Sequence, residues 1–331
     1  MTGAACPDLA YPNHEDWGFA KVKLDKRSLA TVNARMQDVE DPFLRTMLWD
    51  SLWESVRDGE LPLDAFIAAV AANMPQERDD TVLADVLRKS ARAAGYLARM
   101  QQPAPALEQL AWQNIQARGG ERDLQRHWLD LYLSVADSEE ARSRMAALLD
   151  GRAKLPGIEL DQSLRWRLVR RLNMLGVPGS DKLIDAERAR DQSDSGESAA
   201  LAARVGRPDA RVKASWLKLV SDPDTTLSFA RVRTAMSYLY PVAQGELSEQ
   251  TAALRLDQLP ELEKRSTPLF MRHYLSTMLP ATCTPGSVAR LAQAITTHKD
   301  LSANTRKALM LAKQEDERCV ALQAAMAAAS R

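Results

Sequence analysis

Helical periodicity from Ser28 to the last residues is the feature that most limits what this 331-residue chain can fold into. After Pro208, apolar side chains recur at the spacing of one helix face, and charged side chains fill most of the other positions. Pro208 itself suits the first turn of a helix, where its missing N–H costs nothing. The apolar face predicted for this helix consists of Val212, Trp216, Leu219 and Val220.

The same period, broken by proline and glycine signals, predicts a long series of helices. Asp41-Pro42 opens one of them, Pro268 opens another, and Asp191–Glu197 is predicted to be a loop. The predicted helices lie at residues 42–58, 63–74, 80–100, 107–117, 124–135, 139–149, 164–175, 198–205, 208–220, 227–240, 248–259, 268–279, 286–297 and 302–329.

These patterns predict an all-α fold, built as a HEAT-like or armadillo-like solenoid or as a bowl of paired antiparallel helices. The apolar fraction is 45% and there are only 14 glycines, which favours helix over sheet. Phe19–Asp25 alternates apolar and charged residues, so we predict one short β-strand there. The expected organisation is an N-terminal tail and strand at 1–27, followed by a helical-repeat domain at 28–331.

Charge and cysteine content limit the expected partners and location. Because 44 basic and 44 acidic residues balance, no net field attracts nucleic acid or an anionic membrane. No apolar run approaches the length of a spanning helix, and no targeting segment is visible. Cys6, Cys283 and Cys319 are odd in number and scattered, which argues against a disulfide framework. A reducing compartment and a cytoplasmic location are therefore predicted.

Catalytic and metal-binding signatures are absent from the sequence. A zinc peptidase of the gluzincin type needs two histidines one helical turn apart with a glutamate between them. His14-Glu15 begins that pattern, but Gly18 occupies the second histidine position. His127, His273 and His298 are isolated, and no serine or cysteine lies in a known nucleophile motif. We predict no catalytic residue and no metal ligand, and the substrate-binding residues stay unknown.

Two groups of side chains suggest binding but have simpler structural explanations. A run of arginines is predicted to form the solvated side of an amphipathic helix rather than an anion site. Its members are Arg165, Arg167, Arg170 and Arg171. Five tryptophans are predicted to pack in the gaps between helices. They are Trp49, Trp53, Trp128, Trp166 and Trp216.

Three stretches carry a family resemblance, namely Arg204–Val220, Leu164–Gly176 and Asn13–Asp25. Together they resemble the C-terminal helical domain of aminopeptidase N-type zinc metallopeptidases, in the bacterial branch, and the endoplasmic-reticulum-aminopeptidase-like version of that domain. The similarity runs in order from about Asp8 to the last helix. It implies a non-catalytic bowl that covers a zinc site carried elsewhere, limits access by size and contacts the far end of a peptide.

Two functional hypotheses follow. In the first, the chain is the non-catalytic C-terminal domain of such a peptidase, with a catalytic domain in cis or in trans and peptides as its partners. Zinc would then belong to the catalytic part alone, and this chain would need no cofactor. In the second, it is a free-standing α-solenoid scaffold for another protein. The isolated strand at Phe19–Asp25 favours the first, because a scaffold has no use for one strand without a sheet.

Overall fold

The computed structural model describes residues 6–329 of the chain. Within this range the backbone forms eighteen α-helices, four short 3₁₀ segments and no β-strand. The predicted all-α fold class is therefore confirmed.

The helices follow one another in the chain with short connections. They are α1 (Lys26–Arg35), α2 (Pro42–Arg57), α3 (Leu63–Asn73), α4 (Asp80–Arg99), α5 (Pro105–Ala117), α6 (Arg122–Val135), α7 (Glu139–Leu149), α8 (Gln162–Met174), α9 (Ser180–Arg190), α10 (Asp194–Val205), α11 (Ala210–Val220), α12 (Phe229–Leu239), α13 (Gly245–Glu249), α14 (Ala252–Asp257), α15 (Leu259–Arg265), α16 (Pro268–Thr277), α17 (Pro285–Thr297) and α18 (Ala303–Ala329).

Short polar side chains set where many helices begin. Asp209, for example, accepts hydrogen bonds from the backbone N–H groups of Arg211 and Val212, at 2.8 and 3.2 Å. The helix therefore begins after Asp209, and Pro208 lies before the cap and outside the first turn where we predicted it. The other side-chain caps are Asp25, Asp41, Asp79, Ser138, Asp161, Ser193, Ser228, Thr267 and Thr284.

Even-numbered helices form a continuous layer through the molecule. Helix α2 contacts α4, α4 contacts α6, and the series continues through α8, α10 and α12. Helix α12 then contacts α16, which contacts α18. The odd-numbered α3, α5, α7, α9 and α11 each pack beside the helix that follows them in this layer. Each helix thus buries its apolar face against chain neighbours and against the adjoining pair.

The apolar interior comprises two clusters that the last helix bridges. The first extends from α1 to α10 and the second from α10 to α18. Leu309 near the start of α18 belongs to the second cluster, whereas Leu322 near its end belongs to the first. Four of the five predicted core tryptophans are buried, and Trp216 packs half-buried on the second cluster. Helix α18 therefore extends back to the first part of the helical array.

A disulfide joins Cys283, in the turn before α17, to Cys319 on α18, with the two Cα atoms 5.2 Å apart. Both residues are buried, and Cys6 is the remaining, exposed thiol. The expectation that the cysteines stay unpaired is wrong, because the fold brings together two residues that are 36 positions apart. The cysteines therefore no longer support the prediction of a reducing compartment, or the cytoplasmic location that was predicted from it.

The predicted strand at Phe19–Asp25 is also wrong, since the segment has no strand partner within residues 6–329. It lies in extended form against the end of α2, where Val22 is buried. Lys21 pairs with Glu54 at 3.1 Å and also contacts Asp58. The alternation that suggested a strand reflects a segment in which Val22 is buried and Leu24 packs on the first apolar cluster, while Phe19 is exposed.

Helix α11 buries a different face from the one predicted. Lys213, Leu217 and Val220 are buried, whereas Leu219 is exposed. The cause is α10, whose C-terminal carbonyl at Val205 accepts a hydrogen bond from Lys213 Nζ at 2.8 Å. A charged side chain thereby occupies a position that periodicity assigned to the solvent side.

The arginines of α8 are not a solvated face. Arg165 forms an ion pair with the buried Glu187 at 2.8 Å, and Arg171 is itself buried against the carbonyl of Ala136. Helix α8 is enclosed by α6, α7, α9 and α10, so it has little open side. The prediction that these arginines form a solvated side assumed that α8 packs through one face only, and it is wrong.

Two boundaries also differ from the prediction. The polar segment 191–197 is a loop only as far as Ser193, which caps α10 at Asp194. The helix predicted at 248–259 is instead divided among three short helices, α13, α14 and α15. Polar residues can begin a helix as readily as they form a loop, which explains the first difference.

Candidate functional site

A large cavity lies where the last helix faces the rest of the array, and we call it the main cavity. It encloses about 1240 Å³. Its walls come from α13 to α16 on one side and from α18 on the other, and the ends of α2 and α4 contribute Arg57 and Arg99. Pro241 and Val242, which precede α13, also line it. A cavity of this size accommodates several residues of an extended peptide or a large organic molecule.

Positive charge predominates in the lining of the main cavity. Five arginines and two glutamates are its only charged residues among those described. The arginines are Arg57, Arg99, Arg255, Arg272 and Arg318, and the glutamates are Glu263 and Glu315. The remaining wall is largely apolar or neutral. A ligand with apolar groups and negative charge would complement this surface.

Arg255 forms the buried base of this surface. Its guanidinium donates to the carbonyls of Met278 and Ser248, each at 2.7 Å, and its Cζ lies 4.0 Å from the ring centroid of Tyr240. No carboxylate pairs with it among residues 6–329, and its Nε has no hydrogen-bond partner there. Burial lowers the pKa of Arg255 from its usual value. The side chain is fixed by carbonyl groups and a ring, so its charge is only partly compensated.

The two glutamates are engaged within the protein. Glu263 accepts hydrogen bonds from Ser302 Oγ at 2.6 Å and from Thr305 at the start of α18. Burial alone would raise the pKa of Glu315, but the Tyr96 hydroxyl and the charges of Arg57 and Arg318 hold it below its usual value. Both carboxylates stabilise the position of α18, so they contribute little free negative charge to the cavity.

Two further arginines in the lining, unlike Arg255, form no hydrogen bond or ion pair within residues 6–329. Arg99 at the end of α4 is half-buried, and Arg272 on α16 is exposed. The charge of Arg99 already acts on the buried Asp316, where burial raises the pKa of the carboxyl and Arg99 opposes that rise. The guanidinium of Arg272 is therefore the one available to an anionic ligand in the cavity.

None of the histidines considered from the sequence lies in this lining. His14 lies in a short 3₁₀ turn, His127 pairs with Asp80 at 2.9 Å, and His273 is hydrogen-bonded to Ser237. Within residues 6–329, no group of three or more His, Cys, Asp or Glu side chains could hold a metal ion. Likewise, no helix of that range is both long and apolar enough to cross a membrane.

Sequence reasoning did not find the lining of the main cavity. Arg272 lies one turn after Pro268, where a helix was predicted to begin, and Arg255 lies in a segment predicted as one continuous helix. The single available signal was the arginine one turn after Pro268, which periodicity cannot assign to the inside or outside of an array. The lining depends on how α18 returns to α4, which is a long-range feature.

Comparison with known proteins gives two matches. The sequence model of the family described as the ERAP1-like C-terminal domain matches residues 9–315. Aminopeptidase N of Streptomyces lividans is 31% identical over 232 residues, which is 68% of this chain and 26% of that protein. The chain thus matches about a quarter of the length of this curated relative.

Proposed function

The chain belongs to the family of ERAP1-like C-terminal domains, and we propose that it caps the active-site chamber of an aminopeptidase N-like zinc peptidase and selects peptides by length. The main cavity carries this proposal, because a half-open space with an arginine surplus suits a peptide that ends in a carboxylate. The paired helices would act as a HEAT-like bowl around it. Bond cleavage and zinc would belong to the catalytic partner.

The unpaired arginines give a physical basis for length selection. Arg272 pairs with no carboxylate of the described residues, so it can pair with the terminal carboxylate of a peptide at little cost, and the charge of Arg99, which also acts on Asp316, adds to the positive field of the cavity. Apolar side chains such as Leu275 and Leu311 line the same space and would contact the middle of the peptide, between the zinc site and its terminal carboxylate. A peptide too short to span from the zinc site to these arginines would lose this contact, and with it binding energy for the transition state.

The N-terminal segment is proposed as the face toward the catalytic part. Trp17 is 85% exposed and Phe19 is fully exposed, although both are large apolar side chains. Exposed aromatic residues on an extended segment are typical of an interface. We therefore keep the division into an N-terminal linking segment at 1–27 and a helical domain at 28–331 as part of the proposal, with α1 beginning at Lys26, two residues before that boundary. The catalytic partner could be joined in cis or bound in trans.

A free-standing scaffold is the alternative function. Trp17 and Phe19 would serve a scaffold equally well, because they offer apolar area to any protein partner. The arginine surplus of the main cavity, however, has no role in a scaffold that binds through its outer surface. Peptide binding inside the cavity therefore distinguishes the two functions.

Peptide binding to the chain itself tests the proposal. Isothermal titration would compare an octapeptide with a free C-terminal carboxylate against the same peptide ending in an amide. We expect the acid to bind at least about tenfold more tightly, and Arg272→Gln to remove that preference. Arg152→Gln is the matched control, since Arg152 pairs with Asp150 outside the cavity. Equal affinity for acid and amide, or no binding of either, would favour the scaffold.

A further inference from the structure

A second, smaller cavity lies in the inner layer between α4, α6 and α8, and we call it the arginine cavity. It encloses about 450 Å³ and is bounded at one end by Tyr238 and residues 241–243. Space exists there because α4 presents only small side chains on this side. They are Ala91, Ala94, Gly95 and Ala98. The volume is in the range of sites that hold small organic ligands.

Some of the charged side chains that line the arginine cavity have no ionic partner of opposite charge among the described residues. Asp130 and Asp137 are the only carboxylates in the described lining. Asp130 pairs with Arg167 at 2.5 Å, and Asp137 pairs with Arg142 at 2.6 Å. Both carboxylates are thus neutralised by arginines. Two other arginines in the lining, Arg170 and Arg171, are left without a carboxylate.

Arg171 is the more buried of these two side chains, with 9% of its surface exposed. Its Nε and Nη2 donate to the carbonyl oxygen of Ala136, at 3.0 and 2.8 Å. It forms no ion pair with any carboxylate of residues 6–329. Asp137 and Glu108 are the nearest negative charges, and Glu108 is occupied by Ser138. A buried guanidinium whose counter-charges lie beyond ion-pair distance is costly, unless another group supplies one.

Arg170 lies beside it on α8 and faces the same space. Its Nη1 donates to Tyr238 Oη at 3.2 Å, and its Cζ lies 4.9 Å from the ring centroid of Tyr238. The ring holds the guanidinium in place but supplies no full negative charge. Two arginines consecutive in sequence therefore line one cavity, and neither has an ionic partner within the described part of the chain.

We propose that the arginine cavity binds a small organic carboxylate, with Arg170 and Arg171 as its charge partners. A carboxylate matches the planar fork of a guanidinium, and the alanine and glycine side of α4 leaves room for the attached carbon chain. The carboxylate can come from a free organic acid or from an acidic side chain of a peptide. Every group involved belongs to this chain, so the inference does not depend on the capping role.

Isothermal titration of the full chain tests this inference. The probes are succinate, inorganic phosphate, and two capped alanine pentapeptides whose central residue is glutamate or glutamine. We expect succinate or the glutamate peptide to bind with a dissociation constant of about 1 mM or below. Binding by succinate alone identifies a free acid, and binding by the glutamate peptide but not its glutamine counterpart identifies a side chain.

Two substitutions locate the site. Arg170→Gln removes one charge and should weaken binding at least about tenfold. Gly95→Leu should abolish binding by filling the space, because a Cβ at Gly95 meets no atom within 4 Å and a side chain there begins in open space. Gly95→Ala and Arg152→Gln are the controls, and both should retain the affinity of the unsubstituted chain. Circular dichroism and melting temperature confirm that each variant is folded.

Several outcomes would overturn the inference. These are no binding of succinate or of the glutamate peptide at about 10 mM, binding of phosphate alone, and affinities that neither Arg170→Gln nor Gly95→Leu changes. If a variant does not fold, NMR of the unsubstituted chain decides instead. The Nε–Hε signals of Arg170 and Arg171 should then move on addition of the ligand, and unmoved signals would reject the site.

Discussion

Tyr96 on α4 donates a hydrogen bond to the carboxylate of Glu315 on α18, across 219 positions of sequence. The same carboxylate lies 3.6 Å from Arg57 on α2 and 3.3 Å from Arg318. Burial and the negative charge of Glu315 raise the pKa of Tyr96 to about 12, so the phenol keeps its proton at neutral pH. This contact holds the last helix against the first helices and closes one side of the main cavity.

Tyr96→Phe should therefore destabilise the fold and loosen α18. Loss of a hydrogen bond to a charged acceptor costs about 1.5–3 kcal/mol. Tyr240→Phe is a suitable control, because it removes a neutral hydrogen bond to Thr251 at 2.7 Å and leaves α18 untouched. Urea unfolding of both variants measures the difference. A loss for Tyr96→Phe no larger than that for Tyr240→Phe would show that the contact does not hold the array closed.

Lys213 should make the stability of the protein depend on pH. Burial lowers its pKa from 10.5 to about 7 in the folded state. Between these values the unfolded chain binds more protons, so the free energy of unfolding rises with pH by about 1 kcal/mol per unit above pH 7. Below about pH 7 both states are protonated, and this contribution to the slope vanishes.

Lys213→Met removes that titration and tests the assignment. The variant loses the hydrogen bond to the Val205 carbonyl, which costs about 1 kcal/mol at every pH. Its free energy of unfolding should rise less steeply with pH than that of the unsubstituted chain when urea titrations at pH 7, 8 and 9 are compared. Parallel slopes for the two proteins would mean that Lys213 titrates normally.

The Cys283–Cys319 disulfide determines how many free thiols should be detected before and after reduction. Thiol titration in denaturant without reductant should detect one group, Cys6, and three groups after reduction. Reduction should lower the free energy of unfolding by about 2–4 kcal/mol, because the crosslink spans 36 positions. Three thiols in the unreduced, denatured protein would contradict the pairing. A double substitution to serine gives the same comparison without reductant.

Local signals in the sequence predicted most helices correctly, since caps and periodicity act over one or two turns. Asp41-Pro42 and Pro268 begin helices as expected, and the helix predicted at 139–149 has the observed bounds. Features that depend on packing between different helices were not predicted. Burial of Lys213 depends on a carbonyl of α10, and the extended segment at Phe19–Asp25 depends on the surface of α2.

The candidate site was beyond local prediction for the same reason. Arg171 looks like a solvent-facing arginine until the end of α6 is packed over α8, and Arg255 looks like an ordinary helical arginine until α13 and the end of α16 pack around it. Cys283 and Cys319 meet only because α18 returns across the array. Periodicity and composition predicted the fold class, and the resemblance to aminopeptidase C-terminal domains implied a bowl, but neither identified a residue of the lining.

The dependence of turnover on peptide length tests the capping role most directly. The catalytic part of an aminopeptidase from the same source, lacking its own C-terminal region, would be assayed with peptides of increasing length, with and without this chain. We predict that the chain binds the catalytic part and changes the ratio of kcat/KM between long and short peptides, since a cap acts on access and distal contacts. No association, or association that leaves this ratio unchanged, would contradict the account.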